Sequence, residues 1–182
     1  MRIISGKYRG RGLVVPKGRK VRPTGDRMKE SMFSSLNQAY LNARVLDLFA
    51  GSGALGLEAL SRGASEVTFV DRERNALAAI EQNIKSLGVE DRCKVFRAEV
   101  FSYIRSLGNG TFFDLVFADP PFAGNSAQEI LSGWMEGRPV SSILVLEYSA
   151  KFPPGSPVGF SRVVKTGHFG ESSYSIYQRF ED

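Results

Sequence analysis

The sequence predicts a doubly wound α/β fold: a mostly parallel sheet with an antiparallel C-terminal edge, preceded by an N-terminal β-hairpin plus helix. Three observations carry this. Strand-length apolar runs alternate with helical-period segments between residues 45 and 147, which points to parallel strands joined by crossover helices. The central runs are almost continuously apolar, as burial on both faces requires. The last stretch, after Pro157, loses helical periodicity and instead shows two strand-like runs.

In chain order, Arg2–Ser5 pairs with Gly12–Pro16 as a short hairpin. Thr24 or Asp26 caps a helix that follows Pro23, with Met28, Met32, Phe33, Leu36 and Tyr40 on one apolar face. Val45–Phe49 is the first core strand and Ala54–Arg62 the helix behind it. Glu66–Asp71 is a strand, Asn75–Leu87 an amphipathic helix, Lys94–Arg97 a strand and Val100–Leu107 a helix. Asp114–Ala118, a helix over Ser126–Met135 and Ile143–Glu147 complete the alternation. Phe160–Thr166 and Ser173–Phe180 form the final pair, joined through Gly167 and Gly170, and Tyr174 and Tyr177 belong to its second strand.

The chain is 182 residues long and 42% hydrophobic, enough for one domain with a small appendage and a full core without staples. A disulfide miniprotein, a collagen-like chain and a largely disordered chain are thereby excluded. One cysteine, Cys93, forms no internal disulfide and no multi-cysteine zinc site. One histidine, His168, excludes mechanisms that need two. The start of the chain lacks the long apolar run of a signal peptide, and no apolar stretch is long enough to span a bilayer, so the cytoplasm is the expected location.

Charge is unevenly placed. Residues 1–29 hold ten Lys or Arg and a single acid, Asp26, whereas the remainder has 14 basic and 18 acidic side chains. A cationic arm before a mildly acidic body suits a polyanion, because each neutralised phosphate releases counterions. Nucleic acid is the expected partner, with Arg2, Lys7, Arg9, Arg11, Arg19, Lys20, Arg22 and Arg27 as the contacts.

Gly51-Ser52-Gly53-Ala54-Leu55-Gly56 is a G-x-G-x-x-G run between a strand and a helix. Glycines let a ligand approach the backbone, and the helix start offers N–H groups. Asp71 ends the next strand, 20 residues after Gly51, and suits ribose hydroxyls of either a nicotinamide dinucleotide or S-adenosylmethionine. Asp47 separates the two. A buried carboxylate four residues before Gly51 repels a pyrophosphate but suits an ammonium and a sulfonium; it also suits a structural role toward loop N–H groups.

Asp119-Pro120-Pro121-Phe122 follows the apolar strand DLVFA. Strand order reverses between the first and fourth strands of a doubly wound sheet, so Asp119 is expected to face the glycine loop although it lies 68 positions from Gly51. Two prolines leave carbonyls and one carboxylate as acceptors. If Asp119 and the Pro120 carbonyl accept the two hydrogens of an exocyclic amine, its lone pair turns toward a cofactor methyl, and Phe122 stacks on the base.

RIISGKYRGRGL, Arg22–Leu36 (RPTGDRMKESMFSSL), Leu46–Ala64, VTFVD and VFADPPF together resemble the RsmD-type methyltransferases of small-subunit (16S) ribosomal RNA, which act on guanine N2. The resemblance runs over nearly the whole chain and implies a Rossmann-like S-adenosylmethionine-dependent methyltransferase fold. It implies residues 1–40 as a basic RNA-contacting extension and 41–182 as the methyltransferase domain. It implies cofactor roles for Asp47, Phe49, Gly51, Gly53, Asp71 and Arg72, with Thr24 near the methionine end and Ala98 and Glu99 at the adenine. Asp119, Pro120 and Phe122 become the catalytic set, no metal is needed, and the expected partner is an assembled or partly assembled small ribosomal subunit, met by a monomer.

The alternatives are an adenine-N6 or glutamine-N5 methyltransferase with the same acceptor motif, a nicotinamide-dependent oxidoreductase, and a non-catalytic RNA-binding protein. His168 is expected on an exposed edge, Cys93 beside the third strand as an unactivated thiol, and Trp134 in packing.

Overall fold

A computed structural model describes residues 1–16, 25–108, 112–122, 124–136, 140–156 and 161–180. Among the described residues, seven strands and five α-helices follow one another as α1 (Gly25–Ser35), β1 (Arg44–Leu48), α2 (Ala54–Ser61), β2 (Glu66–Asp71), α3 (Arg74–Leu87), β3 (Cys93–Arg97), α4 (Val100–Ser106), β4 (Phe113–Ala118), α5 (Ser126–Glu136), β5 (Ser141–Ser149), β6 (Ser161–Phe169) and β7 (Ser172–Arg179). They make one sheet in the order β3-β2-β1-β4-β5-β7-β6. The first five strands in that order are parallel, and β7 runs antiparallel to both of its neighbours. The doubly wound fold with an antiparallel C-terminal edge is therefore as the sequence predicts.

Side-chain alternation splits the core. Val45, Phe69, Phe117 and Val145 face Ile3, Met32, Phe33, Leu57 and Ile80 on one side of the sheet. Leu46, Leu48, Val70, Val116 and Leu144 face Val100, Leu131 and Trp134 on the other. Trp134 packs as expected, 3% exposed, with its indole N–H donating to Ser141 Oγ at 3.0 Å. Cys93 opens β3, and burial pushes its thiol up to about 12, as an unactivated side chain requires. His168 lies on the edge strand β6, exposed. Tyr174 and Tyr177 sit on β7. Between Val163 and Lys165 a register shift interrupts the β6–β7 ladder. Among the described residues no helix is long and apolar enough to cross a membrane.

Four local expectations change. The N-terminal hairpin contracts to one antiparallel bridge, Arg2 to Gly12. Beyond the Ile3 N–H, which still donates to Arg11 O at 3.0 Å, the N–H groups of Ile4 and Ser5 donate to Glu58 Oε2 at 2.8 Å and Oε1 at 3.0 Å. Helix α1 stops at Ser35, because Asn37 and Gln38 adopt left-handed φ of 47° and 67°. Tyr40 thus lies beyond the helix but still packs on Phe33, ring centroids 5.6 Å apart. Gly167 is inside β6, and the turn to β7 falls at Gly170 (φ 64°). β5 is longer than Ile143–Glu147 at both ends. Thr24 and the Pro157 to Phe160 stretch lie outside the described residues.

Glu58, wholly buried on α2, also takes Lys29 Nζ at 3.2 Å and Arg62 Nε at 2.8 Å. Lys29 is 4% exposed and donates in addition to Arg2 O at 2.6 Å. Burial lowers its pKa, against the opposing pull of Glu58. Removing one member of such a buried cluster strands the other charges. Glu58→Ala is expected to lose about 3–5 kcal/mol of stability in urea unfolding, whereas Glu73→Ala, which breaks the exposed pair with Arg72, should stay within about 1 kcal/mol of the parent. Equal unfolding midpoints for the two variants would contradict this.

Candidate functional site

β1 ends at Leu48, and the chain turns through Phe49, held at φ 57°. Gly51 and Gly53 follow with φ 61° and 74°, and Gly53 starts α2. Gly56 is required by contact: a Cβ there would lie 2.5 Å from the Phe69 ring. The G-x-G-x-x-G run is thus a left-handed turn followed by a close helix–strand packing position.

Carboxylates at the strand ends hold this loop. Asp47, 2% exposed in β1, accepts the Gly56 N–H at 2.9 Å. Asp71, 6% exposed at the end of β2, accepts the Gly51 N–H at 2.9 Å through Oδ2 and the Glu73 N–H at 3.0 Å through Oδ1. Asp47 thus supports the loop, and it also lines a cavity of about 560 Å³.

That cavity brings β1 and β4 together. Its walls include Asp47, Phe49 and Ser52 from the first strand and glycine loop, and Asp119, Pro120 and Phe122 from the loop after β4. The Asp119 N–H donates to Leu48 O at 3.4 Å, which ties the two strand ends directly. Asp119 and the glycine loop therefore converge as the strand-order reversal predicts.

Gly51, Gly53, Asp71, Arg72, Ala98 and Glu99 are not among the residues that line that cavity. Arg72 is exposed, with Nε on Glu73 Oε1 at 3.1 Å. Ala98 is half-buried and its N–H donates to Asp71 O at 3.1 Å. Glu99 caps α4, accepting the N–H groups of Phe101 at 3.1 Å and Ser102 at 2.8 Å. Burial works to raise the Glu99 pKa, but those two N–H groups outweigh it and hold the carboxyl below its ordinary value. These residues sit at the carboxyl ends of β2 and β3, one and two strands out from β1.

Of the predicted RNA contacts, Arg2, Lys7, Arg9, Arg11 and Arg27 are exposed, and Arg2 pairs with Asp26 at 3.2 Å. Arg19, Lys20 and Arg22 lie outside the described residues.

Sequence reasoning missed several wall residues. Met1, Val15 and Pro16 of the arm line the cavity, as do Met28 and Lys29 of α1 and Glu147 of β5. Glu147 carried a legible signal, a carboxylate closing the apolar run ILVL. Lys29 did not: it reads as one more cation of the arm, yet it is buried.

The arrangement gathers charged and apolar groups from the ends of β1, β4 and β5 and from α1 around one cavity. Four acids, Asp26, Asp47, Asp119 and Glu147, share the cavity's walls with Lys29 and with Phe49, Phe122 and Met32.

The family described as Conserved hypothetical protein 95 matches residues 1–178. The ribosomal RNA small subunit methyltransferase D of Haemophilus influenzae is 35% identical over 98% of this chain and 93% of its own length. Its Escherichia coli K12 counterpart is 34% identical over 98% of this chain and 90% of its own. The solved structure of yhhF from Escherichia coli superposes with a TM-score of 0.85 at 33% identity, covering 98% of this chain and 97% of that one. The chain belongs to this family, that of the ribosomal RNA small subunit methyltransferase D proteins.

Proposed function

We propose that the protein methylates the exocyclic N2 amine of a guanine in small-subunit (16S) ribosomal RNA, with S-adenosylmethionine as methyl donor. The observation that carries this reading is the shared cavity: Asp119, Pro120 and Phe122 line it together with Asp47 and the glycine loop. The relatives named above act, by their names, on small-subunit ribosomal RNA.

The residues present fit the donor. A volume of about 560 Å³ is in the range of small-molecule sites. Asp47 supplies a buried negative charge for its ammonium and sulfonium, and Phe49 an apolar wall. Asp71, fixed by Gly51 and Glu73, keeps further lone pairs for ribose hydroxyls. When bound, S-adenosylmethionine would supply an electrophilic methyl on sulfur with a neutral thioether as the leaving group, and the proton that the methylated amine gives up would pass to solvent.

The chain's part is to place the amine. The Asp119 carboxylate and the Pro120 carbonyl accept its two hydrogens, which draws the nitrogen lone pair out of conjugation with the ring. The Asp119 carboxylate also stabilises the positive charge that develops on nitrogen. Phe122 stacks on the flipped base. Residues 1–40 act as the RNA-contacting extension of the 41–182 methyltransferase domain, through Arg2, Lys7, Arg9, Arg11, Arg19, Lys20, Arg22 and Arg27. Thr24 serves the methionine end, and Arg72, Ala98 and Glu99 the ribose and adenine. The protein works as a monomer in the cytoplasm, on an assembled or partly assembled small subunit, without a metal.

Tritium from labelled S-adenosylmethionine should enter ribosomal particles and appear, after nucleoside analysis, in N2-methylguanosine. Label confined to methyladenine or to protein would favour the adenine-N6 or glutamine-N5 alternatives. Calorimetric binding of a nicotinamide dinucleotide in place of S-adenosylhomocysteine would favour the oxidoreductase.

Asp119→Ala should cut single-turnover methyl transfer by about 10²–10³-fold, the scale of losing one stabilising group at the reacting centre, while S-adenosylhomocysteine still binds. Undiminished transfer would remove Asp119 from the mechanism and favour a catalyst elsewhere.

Replacing Arg9 and Arg11 by alanine should weaken RNA binding and flatten its log–log salt slope by about one per lost phosphate contact. Unchanged RNA affinity and slope would leave the arm without this role.

A further inference from the structure

We infer that Asn83 is a positioning residue that couples the N-terminal arm to the glycine loop, so that cofactor binding and closure of the arm favour each other. The inference rests on the cavity being the S-adenosylmethionine site. Asn83 lies on α3, 1% exposed, and is not among the cavity-lining residues. Its side-chain amide binds backbone alone among the bonds described for it. Oδ1 accepts the Val14 N–H at 2.8 Å, and Nδ2 donates to Val14 O at 3.0 Å and to Ser52 O at 2.9 Å.

Asn83 thus stands in for a strand partner at Val14, taking both of that residue's backbone groups. With its remaining hydrogen it grips the residue between Gly51 and Gly53. The Val14 side chain is 41% exposed, so the amide pair, rather than burial of that side chain, holds the arm at this point. The next two arm residues, Val15 and Pro16, line the cavity, and so does Ser52. A second contact reaches the same residue from the other end of the arm: Ser52 Oγ donates to Met1 Sδ at 3.3 Å, while Met1 O accepts the Leu13 N–H at 2.9 Å.

An occupant between Ser52 and Val15 therefore touches two elements joined through one planar, nearly saturated group. Both Nδ2 hydrogens are in use, so Ser52 O and Val14 cannot move apart without leaving a buried donor unpaired. Any shift of the loop that favours the cofactor must then favour the closed arm by the same factor, and the converse holds. Because the arm carries Arg9 and Arg11, this ties readiness for RNA to occupancy of the cofactor site.

The test is trypsin cleavage of the full chain after the exposed Arg9 and Arg11, read by mass spectrometry with and without saturating S-adenosylhomocysteine. The wild-type protein should be cut about fivefold or more slowly with the ligand, the lower end of ordinary coupling between sites. In Asn83→Leu the ratio should fall to near one while calorimetry still detects binding. Val14→Pro removes the arm's donor and leaves α3 intact, so it should give the same collapse even if the buried substitution proves unstable. A purely structural role would change both cleavage rates and leave their ratio. Binding with a wild-type ratio of one, or an unchanged ratio in the variants, overturns the coupling alone. No binding of S-adenosylhomocysteine to the wild type overturns the cofactor reading and the coupling with it.

Discussion

The buried carboxylate of Glu58 is the constraint on which the site depends. An acid with 0% exposure must be paired, and the partners it draws in come from three segments: Ile4 and Ser5 of the arm, Lys29 of α1 and Arg62 just past α2. α2 is also the helix that the glycine loop launches. One helix therefore carries the glycine loop at its N-terminus and anchors the arm and α1 along its length. Lys29, one of the cavity walls, is paired with the same acid.

The sheet supplies the other half. Parallel strands buried on both faces have no room for polar side chains except near their ends. Asp47, Asp71, Asp119 and Glu147 lie at or near the carboxyl ends of β1, β2, β4 and β5. Because β1 lies between β2 and β4, loops far apart in the chain open onto one crevice. The Asp119 N–H to Leu48 O contact is that topology reduced to one bond.

The parts of this that sequence made legible are those fixed by local pattern. Glu66–Asp71 is recovered residue for residue, because an apolar run ends at a charge. The convergence of Gly51 to Gly53 with Asp119 follows from strand order. What escaped depends on partners distant in sequence. The residues between Arg2 and Pro16 suggest a hairpin, but past the Arg2–Gly12 bridge a carboxylate 54 positions from Ile4 holds the chain instead. Tyr40 keeps helical spacing from Phe33 yet reaches it from a left-handed turn. Lys29 and Asn83 look like surface polar residues of amphipathic helices, and their burial becomes visible only when the arm folds across them.

The two outer strands bear on behaviour at high concentration. Among the described residues, β6 and β3 each leave a row of backbone donors and acceptors without a neighbouring strand, which invites pairing between molecules. Exposed Arg162 and Lys165 stand on one border and Lys94 and Arg97 on the other, so approaching copies repel. The slip in the ladder at Val163 to Lys165 further bends the first border away from the flat geometry that sheet-to-sheet growth needs. Self-templating into fibrils is thereby discouraged at both margins of the molecule.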